Sequence, residues 1–330
     1  MTAEGLLFSS ANLGIAVLAL LLERVFGYPG WLSNRIGHPV VWMGALVGWL
    51  DRSLNDTEKP ARDLRFRGAL SLALLIAAVG IATILLAVLL RSLPGGWLLE
   101  ALLAGSLLAQ RSLREALQAV ASGLERSLEA GREAVGHIVG RDPKTLDQSG
   151  VARGAIESLA ENMSDGVTAP LIWLAVAGLP GIAVYKAINT ADSMIGYRNE
   201  TYRDFGWAAA RLDDLVNLPA SRLTGFVLCL AAAIRGEGRG RSALHAMRLD
   251  ATKHVSPNAG WPEAAMAGAL GIRLGGPRSY EGKTLDLPWM GEGRSEVTAD
   301  DIEEGLSLYR DGLNILCALT AGVFVLSLLA

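Results

Sequence analysis

The sequence has little charge and little cysteine. Lys, Arg, Asp and Glu make up 19% of its 330 residues, against about 25% in soluble domains. Its 30 basic and 33 acidic residues nearly cancel, which excludes a protein that binds nucleic acid through a basic surface. The two cysteines, Cys229 and Cys317, lie in apolar runs without a C-x-x-C spacing. They therefore indicate neither a disulfide framework nor a zinc site.

Several familiar catalytic motifs are also missing. The sequence contains no G-x-x-x-x-G-K-[ST], no G-x-S-x-G and no H-E-x-x-H, so neither a Walker-type nucleotide site nor a zinc hydrolase is indicated. Alternating patterns typical of strands are scarce. These absences favour a mostly helical protein whose chemistry is carried by other residue patterns.

Long apolar runs fill the chain, 51% of which is hydrophobic. Gly68–Leu90 has no charged residue and exceeds the roughly 20 residues that span a bilayer. We therefore predict an all-α fold, a polytopic integral membrane bundle with four to six spans or re-entrant segments. Its polar helices and loops are expected to face the cytoplasm. Further candidate spans are Leu6–Leu22, Leu313–Leu329, Val167–Ile188, Thr224–Ile234 and Leu98–Ala109.

The distribution of basic residues predicts the orientation. The loop between Leu22 and Gly68 is rich in Lys and Arg, and none precedes Leu6, which places that loop in the cytoplasm and the N-terminus outside. We predict one integral membrane domain over residues 1–330. It carries a polar amphipathic helical insertion at about 111–150, with one helix over Ser112–Val139, and a polar loop lobe at about 277–300.

Four polar clusters interrupt the apolar chain, and ionisable groups at or near a membrane are costly and usually functional. They contain carboxylates, amides and basic groups, which suit Mg²⁺ and phosphate oxygens. In the cluster Arg153–Gly166, Glu157 and Glu161 share a helix face, and the alternative to a functional role is a solvent-exposed Arg–Glu ladder. In the cluster Arg248–Glu263, the alternative to a functional role for His254 is a structural hydrogen bond. The clusters are Arg153–Gly166, Lys186–Asn199, Arg211–Arg222 and Arg248–Glu263.

The third cluster contains two adjacent carboxylates. Asp213 and Asp214 repel each other unless a cation or a proton lies between them, and Asn217 follows Asp213 by one helical turn. This spacing suits a divalent metal ion that also binds a phosphate-bearing ligand. The residues alone therefore predict an integral membrane enzyme that acts on a phosphorylated or nucleotide substrate, and they do not name the substrate.

Four stretches carry a resemblance to a known family. They are HPVVWMG at His38–Gly44, ESLAENMSDGVTAPL at Glu157–Leu171, the segment Ala187–Gly225 and the segment Ser256–Gly282. In sequence and in order they resemble the CobD/CbiB family, the adenosylcobinamide-phosphate synthases of cobalamin biosynthesis. The likeness extends over nearly the whole chain and is weakest at Ser112–Leu146 and Leu285–Ala330.

The resemblance implies a multi-pass enzyme of the bacterial inner membrane with a cytoplasmic active site. Such an enzyme joins adenosylcobyric acid to (R)-1-amino-2-propanol O-2-phosphate and uses ATP and Mg²⁺. The expected partners are the corrinoid, the aminopropanol phosphate and the lipid bilayer. Other membrane enzymes of cobalamin assembly are candidate partners, and nucleic acid is not expected.

The resemblance and the clusters together give candidate roles. Because a carboxylate does not acylate an amine at neutral pH, we expect an acyl-phosphate intermediate. Trp207 and Trp261 are expected to line a wide cleft for the corrin. The candidate metal ligands are Glu161, Asp165, Asp192, Asp213, Asp214 and Asn217. The candidate substrate- and phosphate-binding residues are Lys186, Asn189, Ser193, Arg198, Arg211, Arg222, Ser256 and Asn258. The candidate catalytic residues are Glu157, Glu161, His254 and Glu263, with His254 or Glu263 accepting the amine proton.

Two other classes of protein stay open at this point. Membrane prenyl- or phosphoalcohol-transferases also use acidic clusters and Mg²⁺, and they need a hydrophobic tunnel for a lipid tail. A transporter would share the broken helices and the charges within the membrane, and would show solute flux without amide formation.

Overall fold

The computed structural model describes residues 7–140, 142–236, 238–280, 283–285 and 287–329. Position 6, where the first candidate span starts, lies outside the described residues. So do position 141 of the predicted insertion and positions 281, 282 and 286 of the predicted lobe.

The described chain is predominantly helical, which confirms the all-α prediction. The helices are α1 (Ser10–Phe26), α2 (Gly30–Ile36), α3 (Pro39–Leu54), α4 (Ala61–Arg91), α5 (Gly96–Gly105), α6 (Gln110–Arg126), α7 (Leu128–Val135), α8 (Gln148–Met163), α9 (Ala169–Ile195), α10 (Trp207–Arg235), α11 (Arg239–Asp250), α12 (Gly260–Leu270) and α13 (Ala299–Leu329).

Contacts along the chain divide it into two compact units. The first unit comprises the described parts of Met1–Ala109, Ala169–Asn217 and Leu319–Ala330. The second comprises the described parts of Gln110–Thr168 and Leu218–Ala318. The prediction of one domain over residues 1–330 concerns independent folding, which contacts do not measure, so it stays a prediction.

Four helical segments of the described chain are long and apolar enough to cross a membrane, which confirms the membrane prediction. They contain the runs Gly68–Leu90, Val167–Ile188, Thr224–Ile234 and Leu313–Leu329. The other two candidate spans correspond to α1, with 17 residues, and α5, with 10, and both are shorter than the roughly 20 residues a span needs. The four segments are Ala61–Arg91, Gln148–Ile195, Trp207–Arg235 and Ala299–Leu329.

A buried ion pair explains the acidic residue within the short α5. Glu100 is fully buried, and its two carboxylate oxygens accept hydrogen bonds from Arg91 Nε at 2.8 Å and Nη2 at 2.7 Å. Arg91 Nη2 also donates to Asn12 Oδ1 at 2.7 Å. Because the pair is bidentate and has a third partner, the charges are compensated without water. It ties α1, α4 and α5 of the first unit together.

The same pair lies beside a break in α9. Gly178 has a φ of 62°, in the left-handed region that glycine tolerates, and Pro180 follows. A Cβ atom at Gly178 would lie 2.9 Å from Asn12 Oδ1 and 3.0 Å from Arg91 Nη2. The amide of Phe8 donates to the carbonyl of Val176 at 2.8 Å, which satisfies a backbone group near the break, as an apolar environment requires.

The predicted insertion differs from expectation. The prediction of one helix over Ser112–Val139 is wrong, because the chain forms α6 and α7 with a break at Ser127. The Ser127 side chain caps α7 by accepting the amide hydrogen of Ala130 at 3.1 Å, and this cap competes with continuation of α6. Glycine permits the close packing of the two helices, since a Cβ atom at Gly131 would lie 2.5 Å from Leu124 Cδ2.

The predicted lobe at 277–300 contains short strands in its described part, and one of them pairs with a strand just before the lobe. Strands β1 (Leu274–Gly275) and β4 (Trp289–Met290) pair antiparallel, as do β2 (Arg278–Tyr280) and β3 (Lys283–Leu285). The chain then enters α13, where the Asp301 carboxylate accepts the amide hydrogen of Thr298 at 2.8 Å. Acids at the start of α13 match the predicted helix start at Asp300–Asp301.

We expect loss of the buried ion pair to destabilise the first unit. Glu100→Gln leaves the Arg91 charge uncompensated, and the free energy of unfolding should fall by about 3 kcal/mol. The matched control is Glu115→Gln, which breaks the exposed Arg111–Glu115 pair and should cost at most about 0.5 kcal/mol. Thermal unfolding of the purified proteins in detergent measures both, and equal losses would contradict the assignment.

Candidate functional site

In the first unit, the second and third polar clusters form one hydrogen-bonded group on α9 and α10, the amide cluster. Its members are Tyr185, Lys186, Asn189, Asp213 and Asn217. The Asp213 carboxylate accepts hydrogen bonds from Asn189 Nδ2 at 3.3 Å and from Asn217 Nδ2 at 3.0 Å. Asn217 Oδ1 accepts from the Tyr185 hydroxyl at 2.9 Å, and Asn189 Oδ1 accepts from Lys186 Nζ at 3.2 Å.

Three members of the amide cluster are buried, Lys186 and Asn189 are half-buried, and the orientation of the amides is determined by contacts within the cluster. Asp213 is 7% exposed, and Asn217 and Tyr185 are at most 1% exposed. Because the amide oxygens of Asn189 and Asn217 face donors, their nitrogens must face Asp213. The Lys186 ammonium group also attracts the Asp213 carboxylate. The cluster therefore keeps a carboxylate, two amides and a cation in fixed positions within apolar helices.

Of the more exposed predicted residues of the first unit, Arg211 and Arg198 act on Asp214. Its carboxylate is half-buried, and the guanidinium groups of Arg211 and Arg198 attract it. Ser193 donates its hydroxyl hydrogen to the Asn189 carbonyl at 2.9 Å, within its own helix. Asp192 is half-buried, and its carbonyl accepts the Gly196 amide hydrogen at 2.7 Å where α9 ends.

Two residues of the first unit that are not among the predicted site residues interact with residues of the amide cluster. Tyr185 is one, and His38 is the other. His38 caps α3 by accepting the Val40 amide hydrogen at Nδ1, 3.2 Å away, and its ring packs edge-on against Tyr28. Burial lowers the pKa of His38, and the positive charge of Lys186 lowers this pKa further. The His-Pro start of HPVVWMG was the signal for a capping histidine.

In the second unit, Arg222 is the centre of a further group, the arginine cluster. Its Nη1 donates to Asn258 Oδ1 at 2.8 Å, to Ser221 Oγ at 2.9 Å and to the Leu218 carbonyl at 3.3 Å. The guanidinium carbon lies 4.7 Å from the centre of the Trp261 ring, in the range of a cation–π contact. In the described part of the chain, the hydrogen bonds of Arg222 all come from Nη1, and none comes from Nη2 or Nε.

The loop after α11 arranges the other predicted residues of the fourth cluster. Ser256 Oγ accepts the amide hydrogens of Asn258 and Ala259 at 3.2 and 3.3 Å. His254 Nδ1 accepts the Ser256 amide hydrogen at 3.0 Å, so a neutral His254 carries its proton on Nε2. That nitrogen lies 3.7 Å from a carboxylate oxygen of the buried Glu263. In this tautomer the lone pair on Nδ1 is already used by the Ser256 amide, and Nε2 carries the proton.

The acids of the first cluster differ from one another in exposure. Glu157 is 6% exposed and accepts the Gly275 amide hydrogen at 2.7 Å, which anchors β1. Glu161 is exposed, and Asp165 is half-buried in a π-helical turn over Ser164–Thr168. The spacing of four residues thus places Glu157 and Glu161 on the same side of α8, but only Glu161 reaches solvent.

The described residues contain no group of three or more His, Cys, Asp or Glu side chains placed to hold a metal ion. Mg²⁺ does not require such a group, because it commonly binds one or two carboxylates together with waters and substrate phosphates. A half-buried carboxylate such as Asp214 fits that pattern. The predicted ligand set therefore stays a prediction, and any Mg²⁺ bound in this manner would depend on a phosphate-bearing ligand.

Comparison with known proteins identifies the family. A family model described as "CobD/Cbib protein" matches residues 16–309. The chain belongs to the CobD/CbiB family. The match includes the amide cluster, the arginine cluster and the acids of α8, so each of the four predicted polar clusters lies within the family's own region.

Curated relatives agree over almost the full length. A cobalamin biosynthesis protein CobD of Sinorhizobium fredii is 49% identical over 93% of this chain and 95% of its own. Relatives of the same description from Rhizobium meliloti and Rhodobacter capsulatus are 49% and 46% identical, over 91% and 94% of this chain and 93% and 98% of theirs. No solved structure matches. The CobD/CbiB chain described here is thus a cobalamin biosynthesis protein with the apolar helices of a membrane protein.

The lowered pKa of His38 predicts a pH-dependent stability. A histidine whose pKa is lower in the folded state stabilises the fold above its unfolded pKa of about 6.5, and this contribution is lost as pH falls towards the folded pKa. His38→Asn keeps a capping side chain and removes the titration. The midpoint temperature of thermal unfolding, measured in detergent from pH 8 to pH 5, should therefore fall more steeply for the natural protein than for His38→Asn. Identical profiles would contradict the prediction.

Proposed function

We propose that this protein is an ATP- and Mg²⁺-dependent amide ligase that joins adenosylcobyric acid to (R)-1-amino-2-propanol O-2-phosphate. A carboxylate oxygen of the corrinoid attacks the γ-phosphorus of ATP, and ADP leaves. The amine nitrogen then attacks the acyl carbon, phosphate leaves, and a protein base takes the amine proton. The products are adenosylcobinamide phosphate, ADP and phosphate, so atoms and charge balance.

The amide cluster is the observation that supports this proposal most strongly. Phosphoryl transfer needs fixed charges and dipoles rather than covalent help from the protein. Asp213, Asn189 and Lys186 provide them in fixed positions, because each is hydrogen-bonded to another member of the cluster. Arg198 and Arg211, which attract Asp214, add cations suited to phosphate oxygens.

Asp214 is the residue best suited to hold Mg²⁺ together with a nucleotide. Bound Mg²⁺ would neutralise phosphate charge during transfer. Asp214 is half-buried, and it does not belong to the amide cluster, so its carboxylate is closer to solvent than that of Asp213. The protein's own contribution is to keep this carboxylate beside the cations Arg198 and Arg211, which position phosphate oxygens.

The arginine cluster is suited to a second anionic group. Three acceptors and a tryptophan face hold the Arg222 guanidinium in place, so little side-chain entropy is lost when it binds an anion. Glu263 is the proposed acceptor of the amine proton. Trp207 and Trp261 belong to different units, and the corrin cleft that they would line stays a prediction.

One observation supports a second candidate, a transferase that acts on a lipid-linked substrate. The first unit contains two apolar cavities of about 380 and 560 Å³. They share Pro39, Trp42, Leu103 and Ser106 in their linings. Such space suits a hydrocarbon tail, which a prenyl- or phosphoalcohol-transferase would need. Formation of a lipid-linked product without ATP consumption would identify this activity.

Sustained ADP release by the purified protein should require both adenosylcobyric acid and aminopropanol phosphate, whereas adenosylcobyric acid alone should give no more than a single turnover. Asp213→Asn combined with Asp214→Asn should lower this turnover at least about 100-fold, because it removes the carboxylate proposed to hold Mg²⁺ and the carboxylate that fixes Asn189 and Asn217. Coupled ADP release and mass detection of the amide product measure the effect.

The matched control is Asp300→Asn, which neutralises an exposed acid at the start of α13 and should leave turnover unchanged. Turnover that survives in the double variant would refute the proposed role of these carboxylates. Natural protein that makes no amide with both substrates and ATP would refute the proposed reaction itself.

A further inference from the structure

The second unit contains a polar cavity that the proposed reaction has not used. It has a volume of about 500 Å³, within the range of small-ligand sites. The α11 and α12 helices and the chain after β4 contribute its walls. Its lining combines a guanidinium, an imidazole, a hydroxyl and a carboxylate with three glycines and two alanines. The lining residues are Arg241, Ser242, His245, Ala246, Ala267, Gly268, Gly271, Glu292 and Gly293.

The polar side chains of this cavity differ from those of the other clusters in their contacts. Within the described part of the chain, Arg241, Ser242, His245 and Glu292 are exposed to solvent, and their side chains make no hydrogen bond or ion pair. The polar groups of the amide cluster, in contrast, are bonded to one another. The cavity therefore offers donors and an acceptor that a ligand can use without breaking a protein contact.

The charges are distributed in a way that selects a ligand. Arg241 and His245 are four residues apart on α11, so they lie on the same face with Cβ atoms about 6 Å apart. A phosphate group can accept hydrogen bonds from both, and from the Ser242 hydroxyl between them. Glu292 lies on the chain after β4 and can accept hydrogen bonds from an ammonium group of the same ligand.

Glycine lets the backbone form a close-packed wall. A Cβ atom at Gly268 would lie 2.4 Å from the Ser242 carbonyl oxygen, and one at Gly293 would lie 1.9 Å from the Gly271 carbonyl oxygen. Neither glycine can carry a side chain without moving the backbone. The cavity therefore keeps its volume, and its polar side chains decide what binds there.

We propose that this cavity binds a small phosphomonoester that also carries an ammonium group. The phosphate contacts Arg241 and His245, and the ammonium group contacts Glu292. The identification of this ligand with (R)-1-amino-2-propanol O-2-phosphate rests on the proposed function. The cavity itself rests on its lining, and its binding can be measured without turnover.

Calorimetry on the full chain in detergent tests the proposal with three probes: aminopropanol phosphate, inorganic phosphate and free aminopropanol. Aminopropanol phosphate should bind most tightly. Arg241→Ala should lower the affinity for aminopropanol phosphate about tenfold or more, which is the size expected for the loss of a charge-assisted hydrogen bond. Glu292→Gln should weaken aminopropanol phosphate and leave inorganic phosphate unchanged. The matched control is Arg248→Ala, which removes an exposed charge from the same helix outside the cavity.

If Arg241→Ala and Arg248→Ala bound aminopropanol phosphate with equal affinity, the proposal would be overturned. It would also be overturned if the natural protein bound aminopropanol phosphate and free aminopropanol with equal affinity. Phosphatidylethanolamine headgroups carry a similar pair of charges. The calorimetry is therefore repeated in nanodiscs of phosphatidylcholine with and without phosphatidylethanolamine. If the protein lost its affinity for aminopropanol phosphate only in nanodiscs that contain phosphatidylethanolamine, the cavity would bind a lipid headgroup, and the proposal of a soluble ligand would be overturned.

The two proposals fail in different ways. If Arg241→Ala forms amide with an unchanged KM for aminopropanol phosphate, the cavity assignment is wrong and the amide ligase stands. If the natural protein makes no amide but binds aminopropanol phosphate in an Arg241-dependent manner, the cavity stands and the proposed reaction is wrong.

Discussion

The hydrogen bonds that Asn189 and Asn217 donate to Asp213 allow a carboxylate to lie inside an apolar helical bundle. A charge in such surroundings is costly unless it is paired and fully hydrogen-bonded. Here each amide is oriented by a further partner, Lys186 or Tyr185. The result is a chain of bonds in which the position of each polar group depends on the next one, and such rigidity suits the phosphoryl transfer proposed above.

The same requirement explains features outside the amide cluster. The Arg91–Glu100 pair satisfies the polar groups within the short α5, and it lies beside the break at Gly178. Arg222 is held by three acceptors and by the Trp261 ring. In each place the apolar sequence tolerates a charge because neighbouring side chains replace water. The polar side chains of the cavity at Arg241 are exposed to water instead, and the further proposal is that a ligand takes the place of that water.

The sequence predicted those properties that depend on local pattern. Gly68–Leu90 identified a span because its length and lack of charge suffice. An uninterrupted helical pattern predicted no break at Ser127, because the pattern does not register the Ser127 cap or the close approach that Gly131 permits. Partners distant in the chain could not be read from spacing: nothing near Glu157 indicates that it accepts the Gly275 amide hydrogen. His38 and Tyr185 were visible as residue types, but their roles arise from partners distant in the chain, Lys186 for His38 and Asn217 for Tyr185.

A double-mutant cycle on Asn189 and Asp213 tests the central claim most directly. The rate of ADP formation in a single turnover is measured for Asn189→Ala, for Asp213→Ala and for the double variant, with saturating corrinoid and aminopropanol phosphate. If the amide acts by holding the carboxylate, the two effects are not additive, with a coupling energy of about 1 kcal/mol or more. Additive effects would show that the two residues act independently and would contradict the account.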